Sequence, residues 1–157
     1  MLSDIVVDAN VLIHTQDPNV PYFAAACDFV RRLVARATVI CVDPGFSTEE
    51  STDRSVIGLE YRTHLRFGSP GYNAVATLAA QKRIKQVTDK VGAAVHKRVN
   101  QLLRNKKDRT YVRVAVNSDE QTFVSHDYTD FQFTKREAIM ADLGVRVLEA
   151  SQSCPLL

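Results

Sequence analysis

Short apolar runs that are nearly continuous, with no polar residue at every second place, set the strongest limit on how this chain can fold. Ile5-Val6-Val7 between Asp4 and Asp8, Val39-Ile40-Cys41-Val42, Thr122-Phe123-Val124-Ser125 and Val145-Arg146-Val147-Leu148 are of this kind. A strand apolar on both faces needs cover on both faces, the situation of a parallel sheet inside an α/β protein. The intervening segments supply that cover. Phe23, Cys27, Val30, Val34 and Ala37 recur at three- and four-residue intervals. They predict a helix from Tyr22 to Ala37, after a loop punctuated by Pro18 and Pro21. Ser47-Thr48-Glu49-Glu50 has capping-box spacing and predicts a helix start, continuing or restarting through Ile57, Tyr61 and Leu65 until Gly68, Pro70 and Gly71 break it. Further helices are predicted over Tyr72–Ile84 and Val87–Leu103, and a short one opening at Asp108. Thr134-Lys135-Arg136-Glu137 is a second capping box, and Gly144 is a suitable residue to end its helix. Nothing regular is predicted beyond Glu149. Strands alternating with helices predict a doubly wound, Rossmann-like α/β fold with a mainly parallel central sheet and helices on both faces.

The chain has 157 residues, of which 45% are hydrophobic and 24% charged. That suits one domain, expected over residues 1–150, with 151–157 as a tail. No apolar run approaches the ~20 residues of a membrane span. Met1 to Asp8 lacks the basic and long apolar regions of a signal peptide, so no membrane association and a cytoplasmic location are expected. The three cysteines, Cys27, Cys41 and Cys154, show neither metal-ligand spacing nor a disulfide framework. Net charge is only +2, but the cations are unevenly placed. Lys82, Arg83, Lys85, Lys90, Lys97, Arg98, Arg104, Lys106, Lys107 and Arg109 crowd one stretch. Such a block either faces a phosphate backbone or forms a solvated helix face.

The carboxylates carry the chemistry. Sites in open α/β sheets form beyond the carboxyl ends of the strands. Asp8 ends the first apolar run, Asp127 follows the Phe123–Ser125 run, and Asp108 starts the helix leading into that run. Singly, each has a plain explanation: Asp8 or Asp108 as a helix cap, Asp127 and Asp130 as turn residues. Together at one end of a sheet they would repel, and one or more would take up a proton unless a divalent cation offset the charge. An all-oxygen set suits Mg²⁺ or Mn²⁺.

Val6-Val7-Asp8-Ala9-Asn10-Val11-Leu12-Ile13 resembles the opening strand of the PIN-domain nucleases, with its first metal-binding aspartate and a small polar residue two positions on. Asp108-Arg109-Thr110-Tyr111-Val112-Arg113, then Phe123-Val124-Ser125-His126-Asp127 and Asp130-Phe131, resemble the family's later acid, helix, strand and acidic loop. Gly58-Leu59-Glu60-Tyr61 followed by Gly68-Ser69-Pro70-Gly71 is similar to a Glu-Tyr helix and turn in one branch of PIN-like proteins. Among Glu49, Glu50 and Glu60, the resemblance therefore assigns the second acidic position to Glu60, with Glu50 in reserve. It implies a nuclease that hydrolyses phosphodiester bonds, of RNA above all, with Asp8, Glu60, Asp108 and Asp127 holding Mg²⁺ or Mn²⁺. Asp130 is either a further ligand or a turn residue. Asn10 and Ser125 would support Asp8 by hydrogen bonds. The metal would lower the pKa of a bound water and stabilise charge on the phosphate.

Lys97, Arg98, Arg104, Lys106, Lys107 and Arg109 are expected to hold the nucleic-acid backbone without reading its sequence. The resemblance also brings an antitoxin or other protein partner, and a homodimer, as expectations. An inactive PIN-like module that holds RNA or a protein is the competing reading. The four histidines show no zinc spacing, and a surface loop position is expected for His126. An aspartyl phosphatase would need an acid at position 10, where Asn10 stands. No phosphate-binding glycine loop is present, which excludes the common nucleotide-cofactor enzymes.

Overall fold

The computed structural model describes residues 1–157. Five parallel strands, β1 (Asp4–Val7), β2 (Val39–Val42), β3 (Ile84–Gln86), β4 (Thr122–Val124) and β5 (Arg146–Leu148), form one sheet in the order β3-β2-β1-β4-β5. The register places Asp4 opposite Val39 and Val7 opposite Val124. The helices are α1 (Ala9–Ile13), α2 (Phe23–Ala35), α3 (Val56–His64), α4 (Pro70–Ala80), α5 (Ala93–Leu102), α6 (Lys106–Asn117), α7 (Phe133–Leu143) and α8 (Ala150–Ser153). They flank the sheet on both faces, the doubly wound arrangement expected. On one side α2 packs on α4 and α8; elsewhere α6 lies against β1, β2 and β4 and packs on α5 and α3. No helix is long and apolar enough to cross a membrane.

The central strands are apolar because both faces are covered. Ile5, Val6, Val7, Ile40, Cys41, Val42, Phe123 and Val124 have no exposed surface. Phe123 packs on Tyr111 from α6 and on Phe131, at ring separations of 5.5 and 5.1 Å. The order reverses at β1: the chain winds outward through β2 and β3, then returns to lay β4 on the other side of β1. A cleft opens at such a reversal, beyond the strand ends.

Several expected boundaries move. The helix predicted over Tyr72–Ile84 is α4, which starts at Pro70; the Ser69 hydroxyl caps it by accepting from Tyr72 N–H at 3.3 Å. Gly71 allows α4 to approach α1, since a Cβ there would lie 2.6 Å from the Leu12 carbonyl. Ile84 instead opens β3, an edge strand whose Lys85 and Gln86 disguise it. The helix predicted over Val87–Leu103 begins only at Ala93; Val87 prolongs the pairing of β3 by donating to Val42 O at 2.8 Å. Ser47–Glu50 forms a turn. Ser55 caps α3 and Asp43 accepts from Val56 and Ile57 N–H at 2.7 and 2.8 Å, while the Ser47 hydroxyl, accepting from Glu49 N–H at 3.1 Å, holds only the preceding turn. The Thr134–Glu137 capping box is also absent, because α7 already begins at Phe133, with Gln132 at its cap. It ends at Gly144, whose φ of +72° a side chain would oppose. The segment after Glu149 is ordered as α8 and a 3-10 turn over Cys154–Leu156. Leu156 O accepts from Leu2 N–H at 2.8 Å.

Candidate metal centre

β1 and β4 lie side by side, so the residues that follow them share one end of the sheet at its topological reversal. Asp8 leaves β1 and caps α1, its Oδ1 accepting from Asn10 N–H at 3.2 Å. Its Oδ2 accepts from Asn10 Nδ2 at 2.8 Å and from the Ser125 hydroxyl at 2.7 Å. Asn10 Oδ1 accepts from His126 N–H at 3.1 Å, and Ser125 Oγ accepts from Asp127 N–H at 3.0 Å. The supporting roles expected of Asn10 and Ser125 thus have a geometric counterpart: both staple the loop after β1 to the loop after β4. Asp127 Oδ1 then accepts from Thr129 and Asp130 N–H at 2.7 and 3.1 Å, turning the loop so that Asp130 comes back beside Asp127.

Asp108 arrives from α6. It sits inside the first turn, because Asn105 takes the cap by accepting from Lys107 N–H at 2.9 Å. The capping explanation for Asp108 therefore falls away. Asp108, Asp127 and Asp130 each present a carboxylate oxygen, and these atoms all lie within 4.8 Å of one another. Asp108 is only 8% exposed, and its Oδ2 is buried with no hydrogen-bond partner. A buried anionic oxygen without a donor is costly. Burial, followed by the nearby charges of Asp8, Asp130 and Asp127, pushes the Asp108 carboxyl up to about 7. Burial raises Asp8 to about 6, with Asp127 and Glu60 adding to it and the Ser125 and Asn10 hydrogen bonds opposing it. Two acids raised by burial and by neighbouring carboxylates, one of them with an orphaned oxygen, fit a hard divalent cation held by Asp108, Asp127 and Asp130, with Asp8 adjoining.

Glu60 stands outside that tight group. From α3 it meets the Lys107 ammonium of α6, and its other oxygen lies 3.7 Å from His64 Nε2. Its charge nonetheless acts on Asp8. Glu49 and Glu50 are exposed in the turn before α3 and take no place in the carboxylate group.

The basic block divides. Lys106, Lys107 and Arg109 join Arg113, His96 and Glu60 around a groove of about 760 Å³ between α3, α5 and α6. Lys97 and Arg104 are exposed outside its lining, while Arg98 is paired with Asp142 at 2.7 Å. Farther back in sequence, Arg83 serves the fold by donating to Leu33, Val34 and Thr38 carbonyls. Lys85 pairs with Asp4, where β1 begins, and with Asp119.

Other residues hold the site without having been singled out. Arg136, 8% exposed, donates to Phe131 O at 2.7 Å, Ser125 O at 3.2 Å and Asp127 O at 3.4 Å, gathering the carbonyls of the acidic loop. Tyr61 donates to Val7 O at 2.5 Å, and Tyr111 accepts from Ala9 N–H at 3.3 Å, so both flank the turn that carries Asp8. His126 is not a surface histidine: it is 4% exposed, stacked on Tyr22 and His14. Its Nε2 accepts from Ala150 N–H at 3.3 Å, which leaves Nδ1 to donate to His14 Nδ1 at 2.9 Å. Burial and the neighbouring His14 lower His126 to about 4, and burial lowers His14. Only the His-Asp adjacency in the sequence hinted at that ring; a partner residing in a distant helix leaves no local signal.

No family model matches the chain, and no curated protein matches it.

Proposed function

We propose that this protein is a divalent-metal-dependent nuclease of the PIN-like kind, with RNA as its substrate. The observation that carries the reading is the convergence of the Asp108, Asp127 and Asp130 carboxylates within 4.8 Å of one another, with the Asp108 Oδ2 buried and unpartnered. Mg²⁺ or Mn²⁺ is the cation whose chemistry suits these donors. When bound, such an ion makes a coordinated water more acidic and offsets charge on a phosphate.

The chain's own residues do the rest. Asn10 and Ser125 fix the Asp8 carboxylate, and Arg136 fixes the loop of Asp127 and Asp130. Lys106, Lys107, Arg109 and Arg113 give a polyanion a cationic bed leading to α6, the helix that carries Asp108. Glu60 joins this arrangement as an acid held in reserve by Lys107, and a phosphate that took Lys107 would release it. The same Lys107–Glu60 pair is what favours the second reading, an inactive module that binds RNA or protein, because it withholds one expected ligand.

The deciding experiment incubates the purified protein with labelled single-stranded RNA and DNA, with and without Mn²⁺, beside Asp108→Asn. Cleavage that needs Mn²⁺ and is lost in the variant supports the nuclease. Failure to cleave, with no heat of Mn²⁺ binding in a titration, leaves the module.

A further inference from the structure

Phe133 is the first residue of α7 and is 71% exposed, although it follows the acidic loop by only a few residues. Its ring lies 5.2 Å from that of Tyr128, which directly follows Asp127 in the chain. Tyr128 is firmly mounted: the Arg136 guanidinium stands 4.2 Å above its ring centre, and its hydroxyl donates to Glu149. Arg136 is itself tied to the Ser125, Asp127 and Phe131 carbonyls. Tyr128 is therefore carried by the same braced loop as Asp127 and Asp130, Phe133 opens the helix that directly follows it, and the exposed Phe133 ring is left with open surface.

A polyanion drawn by Lys106, Lys107 and Arg113 toward the acid group would bring its bases past this loop. An aromatic face stacks on any base whose own face is free, and a base inside a duplex offers none. We propose that Phe133, backed by Tyr128, is a stacking surface for an unpaired nucleobase next to the phosphate held at the acid group, so that the strand bound there is single. This rests on the nuclease reading and deepens it by naming the form of the substrate. Met140, 49% exposed, lies two turns along α7 from Phe133, so a second copy of the chain is the rival occupant of the same face.

The test measures binding by fluorescence anisotropy, with Ca²⁺ replacing Mn²⁺. The probes are a labelled unstructured single-stranded RNA, its duplex, and an abasic oligonucleotide that keeps the phosphates. Phe133→Ala is expected to weaken binding of the single strand about tenfold, to leave the abasic strand unaffected, and to narrow the preference over duplex. Phe133→Trp is expected to retain the affinity. Unchanged single-strand binding by Phe133→Ala, an equal loss on the abasic strand, or no binding by the wild type overturns the proposal. So does a loss that follows a change from dimer to monomer in light scattering. Cleavage in Mn²⁺, measured separately, keeps the two readings apart. Base-dependent binding without cleavage fails the nuclease and keeps the platform; cleavage unaffected by Phe133→Ala alongside unchanged binding fails only the platform.

Discussion

Ser125 donates its hydroxyl to Asp8 Oδ2 at 2.7 Å, joining the ends of two adjacent strands through one hydrogen bond. The Ser125 hydroxyl oxygen also accepts from Asp127 N–H at 3.0 Å, so one side chain sets the spacing between two acids that come from opposite ends of the sequence. Ser125→Ala removes both contacts. A hydrogen bond to a charged group contributes about 1.5–3 kcal/mol, and a loss of that order is expected in urea unfolding. The bond also restrains the rise of the Asp8 carboxyl, so an NMR titration of that carboxyl in the variant should move upward. An unmoved titration would show that Ser125 does not govern Asp8.

The acids make the metal-free protein sensitive to pH. The folded-state carboxyls of Asp8 and Asp108 are raised to about 6 and about 7 from an ordinary 3.8. At these two groups the folded state therefore holds more protons than the unfolded chain above about pH 4, while His126, lowered to about 4, acts in the opposite sense below its ordinary 6.5. The stability that Asp108 contributes, taken as wild type minus Asp108→Asn, should fall as pH rises from about 4 to about 7, and then level. Melting temperatures in EDTA across that window check the slope. Mn²⁺ should stabilise most at the upper end, where both groups are ionised.

Lys107 pairs with Glu60 and also lines the cationic groove. Lys107→Met frees Glu60 from its ion pair and removes one cation from the groove. Calorimetry should show tighter Mn²⁺ binding, by several-fold, as Glu60 becomes available. Anisotropy should show weaker RNA binding. Movement of both affinities in the same direction would disprove the exchange.

Lys106 is exposed and lies in the groove without an ion-pair partner. Lys106→Ala should weaken RNA binding without regard to base sequence. For single strands, each phosphate contact contributes about 0.7 to the slope of log affinity against log salt. A slope reduced by about that amount, measured by anisotropy over a salt series, is the expected result.

Arg136 is buried among backbone carbonyls. Arg136→Leu should cost about 2–3 kcal/mol through unpaired carbonyls, read by urea unfolding. It should also loosen Asp127 and Asp130 enough to weaken Mn²⁺ binding. Full retention of both would show the loop to be held by its turns alone.

What could be read in the sequence follows from where each interaction reaches. β1, β2 and β4 are legible because burial on both faces demands unbroken apolar runs. Asp8 and Asp127 are legible as acids that follow two of those runs. β3 is not, since an edge strand with Lys85 and Gln86 loses that pattern. Glu60 can be picked out as an acid in a helix, but its partner Lys107 is 47 residues away. The His14–His126 contact spans 112 residues, and nothing near either ring announces it. Arg136 lies inside an apparent capping box, where an arginine reads as a solvent-facing residue. The helix starts misread at Ser47 and Thr134 share one cause: a competing cap, Ser55 with Asp43 in the first case and an earlier start at Phe133 in the second.

The closing stretch of the chain reaches the acids indirectly. Glu149 takes the Tyr128 hydroxyl and Ala150 N–H holds the His126 ring, so residues on either side of Asp127 are gripped from behind by a segment with no acid of the site in it. Trimming the chain before Glu149 would spare every carboxylate of the group and still let the acidic loop drift, leaving all the acids present and their spacing slack.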